Sequence, residues 1–134
     1  QAPKRDNHPV RLIIGLADRT KEKSRAWWQF STDNTPPIDR VITVVWGDTA
    51  LKRGTVFGPA RDEDGTERVR YIARGGPEQG GQWWVDTIDL SLIHHQLWPN
   101  DTPGNMDVLV IGIAAEAAAH TNAPMNIATL RLTH

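Results

Sequence analysis

Two short apolar runs limit what this chain can fold into. Residues 41–46 read VITVVW and residues 108–114 read VLVIGIA, and both are apolar at odd and even positions alike. Adjacent side chains on a strand point to opposite faces, so a run of this kind needs cover on both sides. Both runs therefore predict central strands. The longer of them, extended to VLVIGIAA at 108–115, is far too short to cross a bilayer as a helix.

Around these runs the chain reads as short strands. Strand patterns fall at about 9–17, 25–30, 40–46, 54–58, 67–74, 82–88, 107–115 and 125–133, rich in Val, Ile, Trp and Thr and separated by Gly, Pro, Asn and Asp. In PVRLIIGLA, Val10, Leu12, Ile14 and Leu16 share a face. In ERVRYIAR, Val69, Tyr71 and Ala73 oppose Arg68, Arg70 and Arg74, the alternation of a half-exposed strand. Asp64-Gly65, inside RDEDGTER, predicts a hairpin closed by a type I′ turn. One helical pattern occurs, DLSLIHHQLW at 89–98, with Leu90, Ile93 and Leu97 on one side and Pro99 as the stop. These elements predict an all-β fold, an antiparallel β-sandwich or jelly roll of about eight strands with one short helix near residues 89–98. Residues 1–8 read as an N-terminal tail and 9–134 as a single domain.

Composition narrows the functions open to such a domain. A chain of 134 residues with 39% hydrophobic and 23% charged side chains can bury roughly two-thirds of its unfolded surface. A net charge of −1 argues against nucleic-acid binding, which draws on a basic excess. With no cysteine, disulfides and thiolate metal sites are excluded. The opening segment QAPKRDNHP reads either as the start of a processed, exported chain or as an ordinary trimmed or disordered N-terminus.

Little in the sequence spells out catalysis or metal chemistry. His94 and His95 are adjacent, so on a helix they point about 100° apart and cannot chelate together. His8, His120 and His134 fall in loops or ends. Asp62-Glu63-Asp64-Gly65 lacks the ligand ladder of a calcium loop and reads as a solvated hairpin tip. A loop-bound calcium remains open through Asp33, Asn34 or Asp48. The glycines of RGGPEQGGQ precede no helix that would turn its N-terminus to a phosphate. No G-x-S-x-G elbow is present, and Asp86 and Asp89, at i and i+3 on a strand, face opposite sides. No catalytic constellation and no cofactor are assigned.

The tryptophans carry the strongest functional signal. There are six, against one Tyr and two Phe, and four of them stand as adjacent pairs in RAWWQF and GQWWVD. A strand sends one indole of each pair inward and the other outward. Ala26, Trp28 and Phe30 form the apolar side of the first stretch, which leaves Trp27 beside Gln29 on the polar side. Trp83 and Val85 pair on the apolar side of the second, which leaves Trp84 beside Asp86. An outward indole flanked by amide and carboxylate suits a sugar face, and the same groups serve a protein interface. Arg68, Arg70 and Arg74 form a basic row that would attract an acidic ligand or partner, or that serves as the solvated face of a surface strand whose charge discourages sheet-to-sheet association.

The order of HPVRLIIGLADRT, PIDRVITVVWG, VRYIA, GGQWWVDTIDL, MDVLVIGIAAEA and MNIATLRL resembles the DUF3047 family of bacterial exported proteins, over most of residues 8–133. The resemblance implies an exported sandwich shaped like a carbohydrate-binding module, on the periplasmic or extracellular side, and it brings no catalytic residues. The expected function is binding without catalysis. A glycan or similar small ligand would be held by Trp27, Gln29, Trp84, Asp86, Arg68, Arg70 and Arg74; alternatively the domain docks as an accessory subunit on a larger envelope complex.

Overall fold

The run VITVVW does become the centre of the protein. Val41, Ile42, Val44 and Val45 are all buried, on both faces of a sheet that the computed structural model builds from five strands. The structure describes residues 10–21, 38–47, 49–76, 80–102, 104–115 and 126–133. Among the described residues the strands are β1 (Val10–Asp18), β2 (Arg40–Gly47), β3 (Val56–Arg61), β4 (Glu67–Gly75) and β5 (Met106–Ala115), with one α-helix, α1 (Leu90–Leu97), between β4 and β5. Across the sheet their order is β3-β4-β2-β1-β5.

This is a β-rich fold, but it differs from the expected sandwich in three ways. Among the described residues a single sheet of five strands replaces two sheets of about eight in all. The sheet is mixed, because β2 and β4 run parallel while the other pairs are antiparallel. The connection explains this. β3 returns antiparallel on the far side of β4, so β4 lies beside β2 in the same direction. Residues 82–88 and 126–133 form no strand, and 25–30 lie outside the described residues, as does the tail 1–8.

The third difference concerns VLVIGIA. It forms β5, which among the described strands is an edge and not a central one, with Val108, Leu109, Val110 and Ile113 exposed. Apolar side chains on both faces specify a strand that tolerates burial. They cannot specify whether a neighbour arrives.

One face of the sheet holds the main core. Ile14 and Leu16 of β1, Ile42 and Val44 of β2, and Val69 and Ala73 of β4 pack with Ile93 and Trp98 from the helix and its end. Leu12, Tyr71, Leu90, Leu97 and Met106 rim this cluster. Burying one aliphatic side chain of this kind is worth about 1.5–3 kcal/mol. On the other face Ala17, Val41, Val45 and Ile72 are also buried. The helix follows its sequence signals. Asp89 caps it by accepting from Leu92 N–H at 2.9 Å, Ile93 faces the core, and the chain leaves at Trp98 before Pro99.

The β3–β4 hairpin turns at Asp64-Gly65 as expected, by a different geometry. Gly65 alone has positive φ there, +87°, whereas a type I′ turn requires it at two positions. Gly65 N–H donates to Asp62 O at 3.0 Å and Asp62 N–H to Thr66 O at 2.8 Å, the pattern of a three-residue loop ending in a left-handed glycine.

Candidate functional site

Two polar groups sit where the helix side of the sheet meets the chain crossing it. The first joins β2, β4, α1 and the turn that follows the helix. Arg40 Nε and Nη2 donate to Asp101 at 3.2 and 3.0 Å, and its Nη1 lies 3.3 Å from Glu67. His94 Nε2 lies 2.9 Å from the same Asp101 carboxylate. Trp98 Nε1 and Arg61 Nη2 both donate to Glu67, the latter at 2.7 Å. The Arg40 guanidinium also lies over the Trp98 ring, 5.2 Å from its centroid.

Electrostatics follow from this wiring. Burial pushes Asp101 up, but hydrogen bonds from Arg40 and His94 outweigh it and hold the carboxyl below its ordinary value. Glu67 is held low chiefly by the Arg61 and Trp98 hydrogen bonds, with the charge of Arg40 adding to them. Both carboxylates spend their acceptors on the protein's own donors. The group is a clamp that pins the end of α1 to the sheet.

The second group positions the tryptophan pair of GQWWVD. A register shift between Val45 and Trp46 sets Arg74, and not Ala73, opposite Trp46. Arg74 then reaches Asp86, with Nε at 3.0 Å and Nη2 at 2.9 Å, while Trp46 Nε1 donates to the other Asp86 oxygen at 3.2 Å. The guanidinium stacks on the Trp84 ring, 4.2 Å from its centroid. Asp86 is thereby the anchor of an irregular segment, and the residues before it are held away from the core. Trp83 is 71% exposed, Val85 90% and Trp84 44%.

The expected inward and outward roles of this pair are therefore reversed in part. Trp83 and Val85 do not enter the core, because residues 82–88 are not a strand and the Asp86 anchor sets their direction. Trp84 is outward as expected, with Arg74 against one side of its ring. The basic row is also broken up. Arg68 is paired with Asp62 in the hairpin, Arg70 lies 5.0 Å from the Phe57 ring centroid, and only Arg74 joins Trp84 and Asp86. Trp27 and Gln29 lie outside the described residues, as do Asp33, Asn34 and Asp48. Among the described residues no three His, Asp or Glu side chains are grouped to hold a metal ion. None of their helices is long and apolar enough to cross a membrane.

Sequence reasoning named Trp84, Asp86 and Arg74, which the fold brings together across 12 positions of chain. It missed Trp46, Trp83 and Val85 as parts of the same locality. The signal for Trp46 was its place at the end of the central run beside Gly47, which leaves the indole at the sheet's rim. Strand alternation placed Trp83 and Val85 inward, and that signal failed because residues 82–88 form no strand.

The fold and site define a mixed-sheet β domain that presents a pinned aromatic segment. No family model, curated protein or solved structure matches the chain.

Proposed function

We propose that this chain is a binding domain that docks on a protein partner through Trp83, Trp84 and Val85. The observation that supports this is the exposure of Trp83 and Val85 on a segment fixed at Asp86 by Arg74 and Trp46. A projecting indole on a pinned backbone loses little conformational freedom on association, and Trp is enriched among the residues that dominate interface energies. Export to the bacterial envelope, with an accessory role in a larger complex, belongs to the same reading and leans on the DUF3047 resemblance.

A second reading is supported by Trp84. Its half-exposed ring stands beside a guanidinium and a carboxylate, the groups that hold a sugar's apolar patch and hydroxyls. Two experiments separate the readings. Pull-down from detergent-solubilised envelope with wild type and Trp83→Ala/Val85→Ser should lose a specific protein in the variant if the docking reading holds. A polysaccharide titration followed by tryptophan fluorescence should saturate, and should lose its signal in Trp84→Ala, if the glycan reading holds. Identical pull-downs together with a flat titration would remove both.

A further inference from the structure

The two edges of the sheet as described are unequal, and the difference lies away from residues 83–86. β5 has one hydrogen-bonded neighbour, β1, among the described residues. It is ten residues long, contains no proline, and carries one charged side chain, Asp107. Natural edges are blunted by short length, proline, lysine or a bulge that turns the edge away. The edge strand β3 has such devices, being six residues long, broken in register between Phe57 and Ala60, and containing Pro59 and Arg61. β5 has a single irregularity at Leu109, and otherwise offers a row of backbone groups between exposed apolar side chains.

The same chain contains a segment suited to that edge. Residues 126–133, NIATLRLT, are exposed throughout and belong to no strand. Ile127, Leu130 and Leu132 are among the large apolar side chains left in solvent, Leu132 at 57%. Residues 129–133 alternate as a strand does, with Leu130 and Leu132 on one side and Thr129, Arg131 and Thr133 on the other, and Arg131 is the only Lys or Arg after residue 74.

We propose that β5 is the docking edge for residues 126–133 of a second copy of this chain, so that two copies exchange C-terminal strands about a two-fold axis. Register and charge fit this segment, and a second copy is its source because residues 126–133 are not paired with β5 of their own chain. Laid antiparallel on β5, Arg131 stands opposite Asp107 while Leu130 meets Val108 and Leu132 meets Met106. The alternation agrees with the faces of β5. Met106 packs toward the core and Val108 is paired with the core residue Leu16, so the two leucines extend that apolar face. Asp107, on the opposite face, is already bonded by Arg19 Nε at 3.0 Å, and Arg131 would complete a pair of cations around it. Residues 126–129 continue along β5 past Leu109. Among the described residues, β5 has no ladder beyond β1 and residues 126–133 have none. A reciprocal exchange gives each a partner, and one two-fold closes the assembly without leaving an open edge at β5.

The absence of cysteine gives a clean test. In Val108→Cys/Leu130→Cys, both substituted positions are exposed, so the fold should tolerate them. Mild oxidation is expected to give a disulfide-linked dimer whose bridge maps to 108–130 by peptide mass. A 108–130 bridge within one chain would overturn the exchange, as would no bridge at all, or an equal dimer yield from Val108→Cys alone. Sedimentation of the unmodified chain is the independent measurement. It should show a dimer whose Kd rises about a hundredfold in Arg131→Glu, since the two-fold repeats the like-charge contact and each is worth about tenfold. A wild-type chain that stays monomeric at about 100 μM, or a dimer indifferent to Arg131→Glu, would also overturn it.

Discussion

The edges at β3 and β5 come from the same sheet and obey opposite rules. β3 is short, interrupted at Pro59 and tied down by charge: Arg61 bonds Glu67, and Arg68 of β4 bonds Asp62 in the adjoining loop. β5 is long, nearly uncharged and apolar on both faces. The difference teaches where this protein spends its polar side chains. They terminate the sheet on one side and clamp α1 over it, while the other side retains the composition of a strand awaiting a neighbour.

That comparison presumes a rigid frame between the edges, and the largest expected effect tests the frame. Ile42→Ala, at the fully buried centre of β2, should cost about 2–5 kcal/mol in urea unfolding. A loss below about 1 kcal/mol would mean that β2 does not hold the two edges in one cooperative unit.

The clamp comes next. Arg40→Ala should cost about 2–4 kcal/mol, since Asp101 and Glu67 each lose a cation while remaining mostly buried. Its pH signature has a defined sign. Both carboxyls are held below their ordinary values in the folded state, so their contribution is present above the unfolded carboxylate range. It is lost as pH falls through about 4 and below. Asp101→Asn should flatten part of that acid loss, and an unchanged acid limb would show that the clamp does not couple to folding.

Glycines sharpen the comparison at smaller amplitude. Gly65, at φ +87° in the β3 hairpin, should cost about 1–2 kcal/mol as Gly65→Ala through backbone strain alone, because a Cβ there meets nothing within 4 Å. Gly112 of β5 has the same open space without the positive φ, so Gly112→Ala should be neutral or stabilising by about 0.4–1 kcal/mol. Thermal melts of the two variants that shifted in the same direction would contradict the backbone described for these edges.

The smallest expected change is at β5 itself. Leu109→Lys, which adds to this edge the charge it lacks, should alter the stability of the isolated chain by no more than about 0.5 kcal/mol. Solubility at high concentration should rise in light scattering, as expected when an apolar edge gains a lysine. A large loss of stability would show that Leu109 is a core residue and that β5 is covered.

Much of this fold was legible one element at a time. β1, β2, β4 and α1 fall within a residue or two of their patterns because each is marked locally, by alternation, by an apolar run or by the Asp89 cap and Pro99 stop. The hairpin was legible in Asp64-Gly65, though its turn type was not, since one glycine fits more than one loop. The site was legible in part. Trp84, Asp86 and Arg74 were each marked as polar neighbours of an outward face, yet nothing local said that Asp86 would take its hydrogen bonds from β2 and β4.

What the sequence determined alone is the set of preferences that act over a few residues: which segments extend, which face is apolar, where the helix starts and stops. Tertiary structure decided the rest. It ran β4 parallel to β2, put the apolar run of β5 on an edge, and turned Trp83 out by capturing Asp86 three residues later. The physical reason is that strand pairing and ion pairing are contacts between distant segments. Backbone groups accept any strand in register, so the pairing that wins depends on which partners reach the edge, and no local pattern encodes that.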